Sequence, residues 1–69
     1  MTLKNLRIVN KIKQVEVAKE LNLSRIAIAN YEKGSRTPSI EMLPKLAEIL
    51  NCSIEELVLA IIETKKQSV

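Results

Sequence analysis

The chain has no histidine, tryptophan, phenylalanine or aspartate, and Cys52 is the only cysteine among its 69 residues. Each gap removes a class of chemistry. Without His, and with one Cys, there is no ligand set for a zinc site. A single thiol cannot form an internal disulfide, and a lone unpaired one fits a reducing cytosol. A cysteine with no histidine beside it lacks the base of a thiol nucleophile, and Gly34, the only glycine, cannot make a glycine-rich phosphate loop. An enzyme is therefore the least favoured reading, and no cofactor is expected. The longest apolar run, Leu57 to Ile62, is six residues long, far short of the ~20 that span a bilayer. Nothing has the pattern of a signal peptide.

What is present is small and unevenly charged. The length has room for one domain over residues 1–69. A core of this size supplies only ~3–5 kcal/mol unless something staples it, and pairing with a second copy is the remaining staple. Residues 1–39 hold eight basic side chains (Lys4, Arg7, Lys11, Lys13, Lys19, Arg25, Lys33, Arg36) against Glu16, Glu20 and Glu32, a net of +5. Residues 40–69 hold Lys45, Lys65 and Lys66 against five Glu, a net of −2. The basic half suits a polyanion, although each single Lys also reads as ordinary solvated surface.

The periodicity predicts five helices and no strand. The first covers about Leu3 to Lys11, capped by Thr2, with Leu3, Leu6 and either Val9 or Asn10 on its buried stripe. The second covers Gln14 to Leu21. It breaks at Asn22-Leu23-Ser24, where Asn22 suits left-handed backbone and Ser24 can cap the third helix, Arg25 to Lys33. Gly34 ends that helix. Two short helices joined by three residues cross steeply, and Ala18 is the small residue at the crossing. Ser39 caps a fourth helix over about Ile40 to Leu50. Pro44 lies inside it, so either its first turn is 3₁₀ or kinked or the regular helix starts nearer Met42. The fifth opens on a capping box, Ser53 with Glu56, and runs to about Lys65, with a frayed tail from Lys66 to Val69. The expected core is Leu6, Val17, Ala18, Leu21, Leu23, Ile28, Tyr31, Leu43, Leu46, Ala47, Leu50, Ile54 and Leu57. Tyr31, the sole aromatic, lies three residues after Ile28 and is expected as a core wedge, not a base-stacking platform.

The stretch QVEVAKELNLSRIAIANYEK, residues 14–33, is a complete helix-turn-helix pattern. With the opening LR, the IANYEKG run, RTPSIE, KLAEIL and SIEEL, the chain resembles the Cro/repressor-type helix-turn-helix family of phage repressors, restriction controllers and antitoxins from Leu6 to Leu57. The resemblance implies an all-α fold, a compact five-helix bundle of the lambda-repressor-like kind. It implies base contacts at Arg25, Ile26 and Ala29, with Asn30 at a base or phosphate edge, and a partly buried Arg7–Glu32 salt bridge. It also implies that the loop holding Lys33, Ser35 and Arg36, with Thr37 beside them, lies on the sugar-phosphate backbone.

Residue chemistry fits these placements. The Arg25 fork matches guanine O6 and N7, with a phosphate clamp as its other role. Ile26 and Ala29 are apolar where most relatives are polar, and offer methyl contacts to thymine; the plainer reading is a slightly apolar surface. Gln14, at the amino end of the second helix, can meet a phosphate, with Lys13 beside it. The fifth helix is apolar on nearly every side. Ile54, Leu57 and Ile61 can face the domain's own core, whereas Val58, Leu59 and Ile62 ask for another cover, and a second copy is the simplest. The alternative is scattered surface hydrophobics. The resulting expectation is a homodimeric, sequence-specific double-stranded DNA-binding regulator, a repressor at an inverted-repeat operator, with no metal, no cofactor and no membrane contact. Its expected location is the cytoplasm, associated with the nucleoid. An antitoxin controlled by a toxin or anti-repressor partner, or a protein-interaction module of the same fold, are the alternatives.

Overall fold

The computed structural model describes residues 1–67. They form α1 (Leu3–Val9), α2 (Gln14–Leu21), α3 (Arg25–Lys33), α4 (Leu43–Ile49) and α5 (Ile54–Gln67), with a 3₁₀ turn over Ile40–Met42. The all-α, five-helix architecture is the expected one, and no strand occurs among the described residues.

The helix starts follow local chemistry. The Thr2 hydroxyl accepts from the Asn5 N–H at 3.2 Å, while the Asn5 side-chain oxygen accepts from the Thr2 N–H at 3.0 Å. Ser24 caps α3 through the Ala27 N–H at 3.2 Å. The expected box at α5 is closed on both sides, Glu56 N–H to Ser53 Oγ at 3.0 Å and Ser53 N–H to Glu56 Oε1 at 2.9 Å. At α2 an ammonium cannot accept a bond, so Lys13 supplies no cap. Glu16 takes the Lys13 N–H at 2.9 Å, giving half of a capping box. Ser39 is a correction: it heads the 3₁₀ turn, but its side chain makes no capping bond. The irregular start is as anticipated. Pro44 falls in the first turn of α4, where its missing N–H interrupts nothing inside the helix.

The helix ends follow one scheme. After each of α1 to α4 a residue turns left-handed: Lys11 (φ 57°), Asn22 (φ 60°), Gly34 (φ 82°) and Asn51 (φ 53°). Each is followed by an N–H that reaches back five residues. These bonds are Ile12 to the Arg7 carbonyl at 3.2 Å, Leu23 to Ala18 at 2.8 Å, Ser35 to Asn30 at 3.1 Å and Cys52 to Ala47 at 3.0 Å. This is the Schellman closure, which satisfies helix-end carbonyls that have no partner in the helix. It ends α1 at Val9, earlier than expected.

One buried cluster joins all five helices: Leu3, Leu6, Val17, Ala18, Ile28, Leu46, Ala47, Leu50, Leu57 and Ala60. Leu21, Leu23, Tyr31, Leu43 and Ile61 pack half-buried against it. One open alternative resolves and one expectation fails. Val9 is exposed, and Asn10 takes the third place on the α1 stripe, its amide donating to the Leu6 and Leu50 carbonyls, both at 2.7 Å. Ile54 is also exposed. The packed line of α5 is Leu57, Ala60, Ile61 and Thr64, and Ile54, at the first helical position, stands off it. Ala60 admits α1 closely, and the buried Thr64 hydroxyl accepts from the Leu3 N–H at 3.0 Å while donating to the Ala60 carbonyl at 2.8 Å. The helix continues through Lys66 and Gln67, inside the tail expected to fray; the rest of that tail, residues 68–69, lies outside the described residues.

Candidate nucleic-acid interface

The site is built on the α2–turn–α3 unit. Ala18 is buried at the crossing, and the left-handed Asn22 turns the chain in three residues. Ile28 faces the core and Tyr31 lies half-buried over the 3₁₀ turn, its hydroxyl 3.7 Å from the Met42 sulfur. That is the wedge expected of it. With Ile28 and Tyr31 inward, helical geometry turns Ile26, Ala29, Asn30 and Lys33 outward. Ile26 is 63% exposed. Ala29 and Asn30 are half-buried, and Arg25 and Lys33 are open.

A chain of polar contacts holds one edge of this face. Arg7 grips Glu32 with two bonds, Nε to Oε2 at 2.6 Å and Nη2 to Oε1 at 3.2 Å, and donates a third to the Ile12 carbonyl at 2.9 Å. The Gln14 amide donates to Glu32 Oε1 at 3.0 Å, and its oxygen accepts from Arg25 Nη1 at 3.1 Å. The implied Arg7–Glu32 pair is thus present, with side chains only 13% and 8% exposed. Sequence reasoning missed the middle of the chain. It placed Gln14 at a phosphate, whereas the structure commits both ends of its amide to other side chains. The available signal was positional: Gln14 opens α2, Arg25 opens α3, and a steep crossing brings two helix starts together.

The opposite edge is the loop after α3. The Asn30 carbonyl accepts from the Ser35 N–H at 3.1 Å, the Arg36 N–H at 3.3 Å and the Ser35 hydroxyl at 3.2 Å. Both Ser35 donors are therefore engaged, and a phosphate contact from that residue requires one to be released. Lys33 and Arg36 are exposed. Ser24, Ile26, Asn30 and Arg36 line a cleft of about 380 Å³ along this edge. Lys13 stands exposed beyond the other edge. Val58, Leu59 and Ile62 belong to α5, not to this surface, and all three are exposed, Leu59 at 61%.

No group of three His, Cys, Asp or Glu residues is placed to hold a metal among the described residues. Burial, with the Glu56 charge second, raises the Cys52 thiol pKa and keeps it from ready ionisation. No described helix is long and apolar enough to cross a membrane.

Two short helices, α2 and α3, packed on each other and joined by the left-handed turn at Asn22, make a helix-turn-helix unit. The chain belongs to the helix-turn-helix family, whose pattern matches residues 3–57. It is similar to the cryptic phage CTXphi transcriptional repressor RstR of Vibrio cholerae, 34% identical over 56 residues, which is 81% of this chain and 50% of that relative. The chain thus spans about half the length of the curated relative it matches. No solved structure matches.

Proposed function

We propose that the chain is a transcriptional regulator that binds double-stranded DNA as a homodimer, a repressor that occludes a promoter at an inverted repeat. The observation that carries this reading is the outward face of α3, with Arg25 held by Gln14 at 3.1 Å and Lys33 and Arg36 open beside it. The face supplies a guanidinium fork, two apolar side chains and an amide, a set suited to base edges in the major groove. Arg25, Ile26, Ala29 and Asn30 read bases. Lys13, Lys33 and Arg36 meet phosphates, with Gln14 and Ser35 joining them where their internal bonds exchange. The similarity to a phage repressor supports the regulatory role. Val58, Leu59 and Ile62 form the surface between two copies.

Selection of bound sites from random duplex DNA tests the reading, followed by two variants on the selected site. Arg25→Ala is expected to weaken the selected site by ~1–3 kcal/mol and to relax choice at one base pair. Lys33→Ala with Arg36→Ala should weaken all sequences alike and lower the salt slope by about 0.9 for each contact. Failure to enrich any sequence, with binding that ignores salt, would favour a protein-interaction role. Equal losses for Arg25→Ala on selected and random DNA would remove Arg25 from base reading.

A further inference from the structure

The outer face of α5 carries charge as well as apolar side chains. From Glu55, the residues Val58, Leu59, Ile62 and Lys66 follow at i+3, i+4, i+7 and i+11, the spacing of a single helical face. All five are exposed. The apolar three lie in the middle, with a carboxylate one end and an ammonium the other, ~16 Å apart along the axis. Neighbouring charges on the helix already have partners within the chain. Glu56 completes the Ser53 box, Glu63 holds the Met1 amino group, and Lys65 reaches the Gly34 carbonyl. Glu55 and Lys66 form no salt bridge among the described residues; Lys66 only adds its field to Glu63.

We infer that two copies of α5 pack antiparallel, with Glu55 of each meeting Lys66 of the partner subunit. The inference rests on the dimer proposed above and adds its direction and register. In an antiparallel pair the facing residue numbers share one sum. Setting Glu55 against Lys66 of the partner subunit sets Leu59 against Ile62 of the partner subunit, so one register satisfies the charged ends and the apolar centre together. Parallel packing would place Glu55 on the partner's Glu55 and Lys66 on the partner's Lys66. Like charges at both ends oppose it, and so do aligned helix dipoles. A shallow crossing keeps the ends within reach of these long side chains. An apolar centre with a charged rim is the usual anatomy of a protein interface.

Sedimentation of four proteins at low salt tests the register: wild type, Glu55→Lys, Lys66→Glu and the double swap Glu55→Lys/Lys66→Glu. Each single change turns two attractive pairs into repulsive ones and should raise the dimer Kd about tenfold. The double swap restores both pairs and should return the Kd to near the wild-type value. High salt should shrink all the differences. The double swap places each charge at the wrong end of the helix dipole, so recovery cannot come from a firmer monomer. A dimeric wild type with indifferent single variants, or a double swap as weak as the single ones, overturns the register and leaves the dimer standing. A wild type that remains monomeric at high micromolar concentration overturns both.

Discussion

Gln14 is the residue at which three helices are read against one another. Its amide sits between Glu32, which Arg7 anchors to α1, and Arg25, which opens α3. The guanidinium that is proposed to touch a base is therefore aimed before DNA arrives. Glu32 has an 8% exposed side chain, so removing its main partner strands a nearly buried charge. Arg7→Ala should cost ~3–5 kcal/mol, enough to unfold much of a domain this small, whereas Arg7→Met with Glu32→Leu should fold close to wild type. Urea titration followed by circular dichroism checks both, and a loss below about 1 kcal/mol for Arg7→Ala would mean that water already screens the pair. Ile26 makes a different claim on the same face. A thymine methyl against it is worth ~0.8 kcal/mol. Replacing thymine by deoxyuridine in the half-site should weaken binding by about three- to fourfold, and Ile26→Ala should erase most of that difference. Unchanged affinity after substitution of every thymine would leave Ile26 and Ala29 as clearance residues, with DNA shape carrying the selectivity.

Among the elements, caps were legible in the sequence except at Ser39, and stops only in part. A cap is a local matter of one side-chain oxygen and an N–H a few residues on, so Thr2, Ser24 and Ser53 could be named without the fold. Asn22 and Gly34 announced their left-handed turns. Lys11 did not, because its left-handed backbone follows from packing and carries no propensity signal. Asn51 could have been read, since Leu50-Asn51-Cys52-Ser53 repeats the order of Leu21-Asn22-Leu23-Ser24. Ile54 was misread because periodicity marks a helix's apolar arc without saying which part of it meets a neighbour. Gln14's partners were out of reach for the same reason, as they come from two other helices. The α5 cap also carries an acid dependence. The Ser53 N–H, and next its hydroxyl, lower the Glu56 pKa from its ordinary 4.5. A depressed carboxylate stabilises the fold above its unfolded pKa, and that contribution disappears as pH falls through the folded one. Ser53→Ala should lower stability by about 1 kcal/mol near neutrality. The gap from wild type should narrow below about pH 4.5. Glu63, lowered by the Met1 amino group, keeps some acid dependence in the variant. Parallel wild-type and variant melting curves from pH 7 down to pH 3 would remove the Ser53 hydroxyl as a source of acid lability and leave it to the Ser53 N–H, which the variant keeps.

At the scale of the whole molecule, charge and apolar surface are sorted. The net +5 of residues 1–39 comes from Lys4, Arg7, Lys11, Lys13 and Arg36, which flank α2 and α3 in the chain, while the exposed Val58, Leu59 and Ile62 lie on α5. One surface suits phosphate and another suits a second copy. The proposed dimer should present its two recognition helices ~34 Å apart, to half-sites one helical turn from centre to centre. Leu59→Asp should sediment as a monomer and bind the inverted repeat far more weakly while still folding, since Leu59 is 61% exposed and contributes little to the core. Retention of the dimer by that variant would move the interface off α5. The Leu3–Thr64 bond has a consequence in time. It joins residues 61 positions apart, so part of the packing of α1 waits for α5. At ribosomal speeds that separation is about 3–12 s of synthesis. Until α5 emerges, the Leu3 N–H has no Thr64 hydroxyl to reach, and α1 has only its packing on the earlier helices.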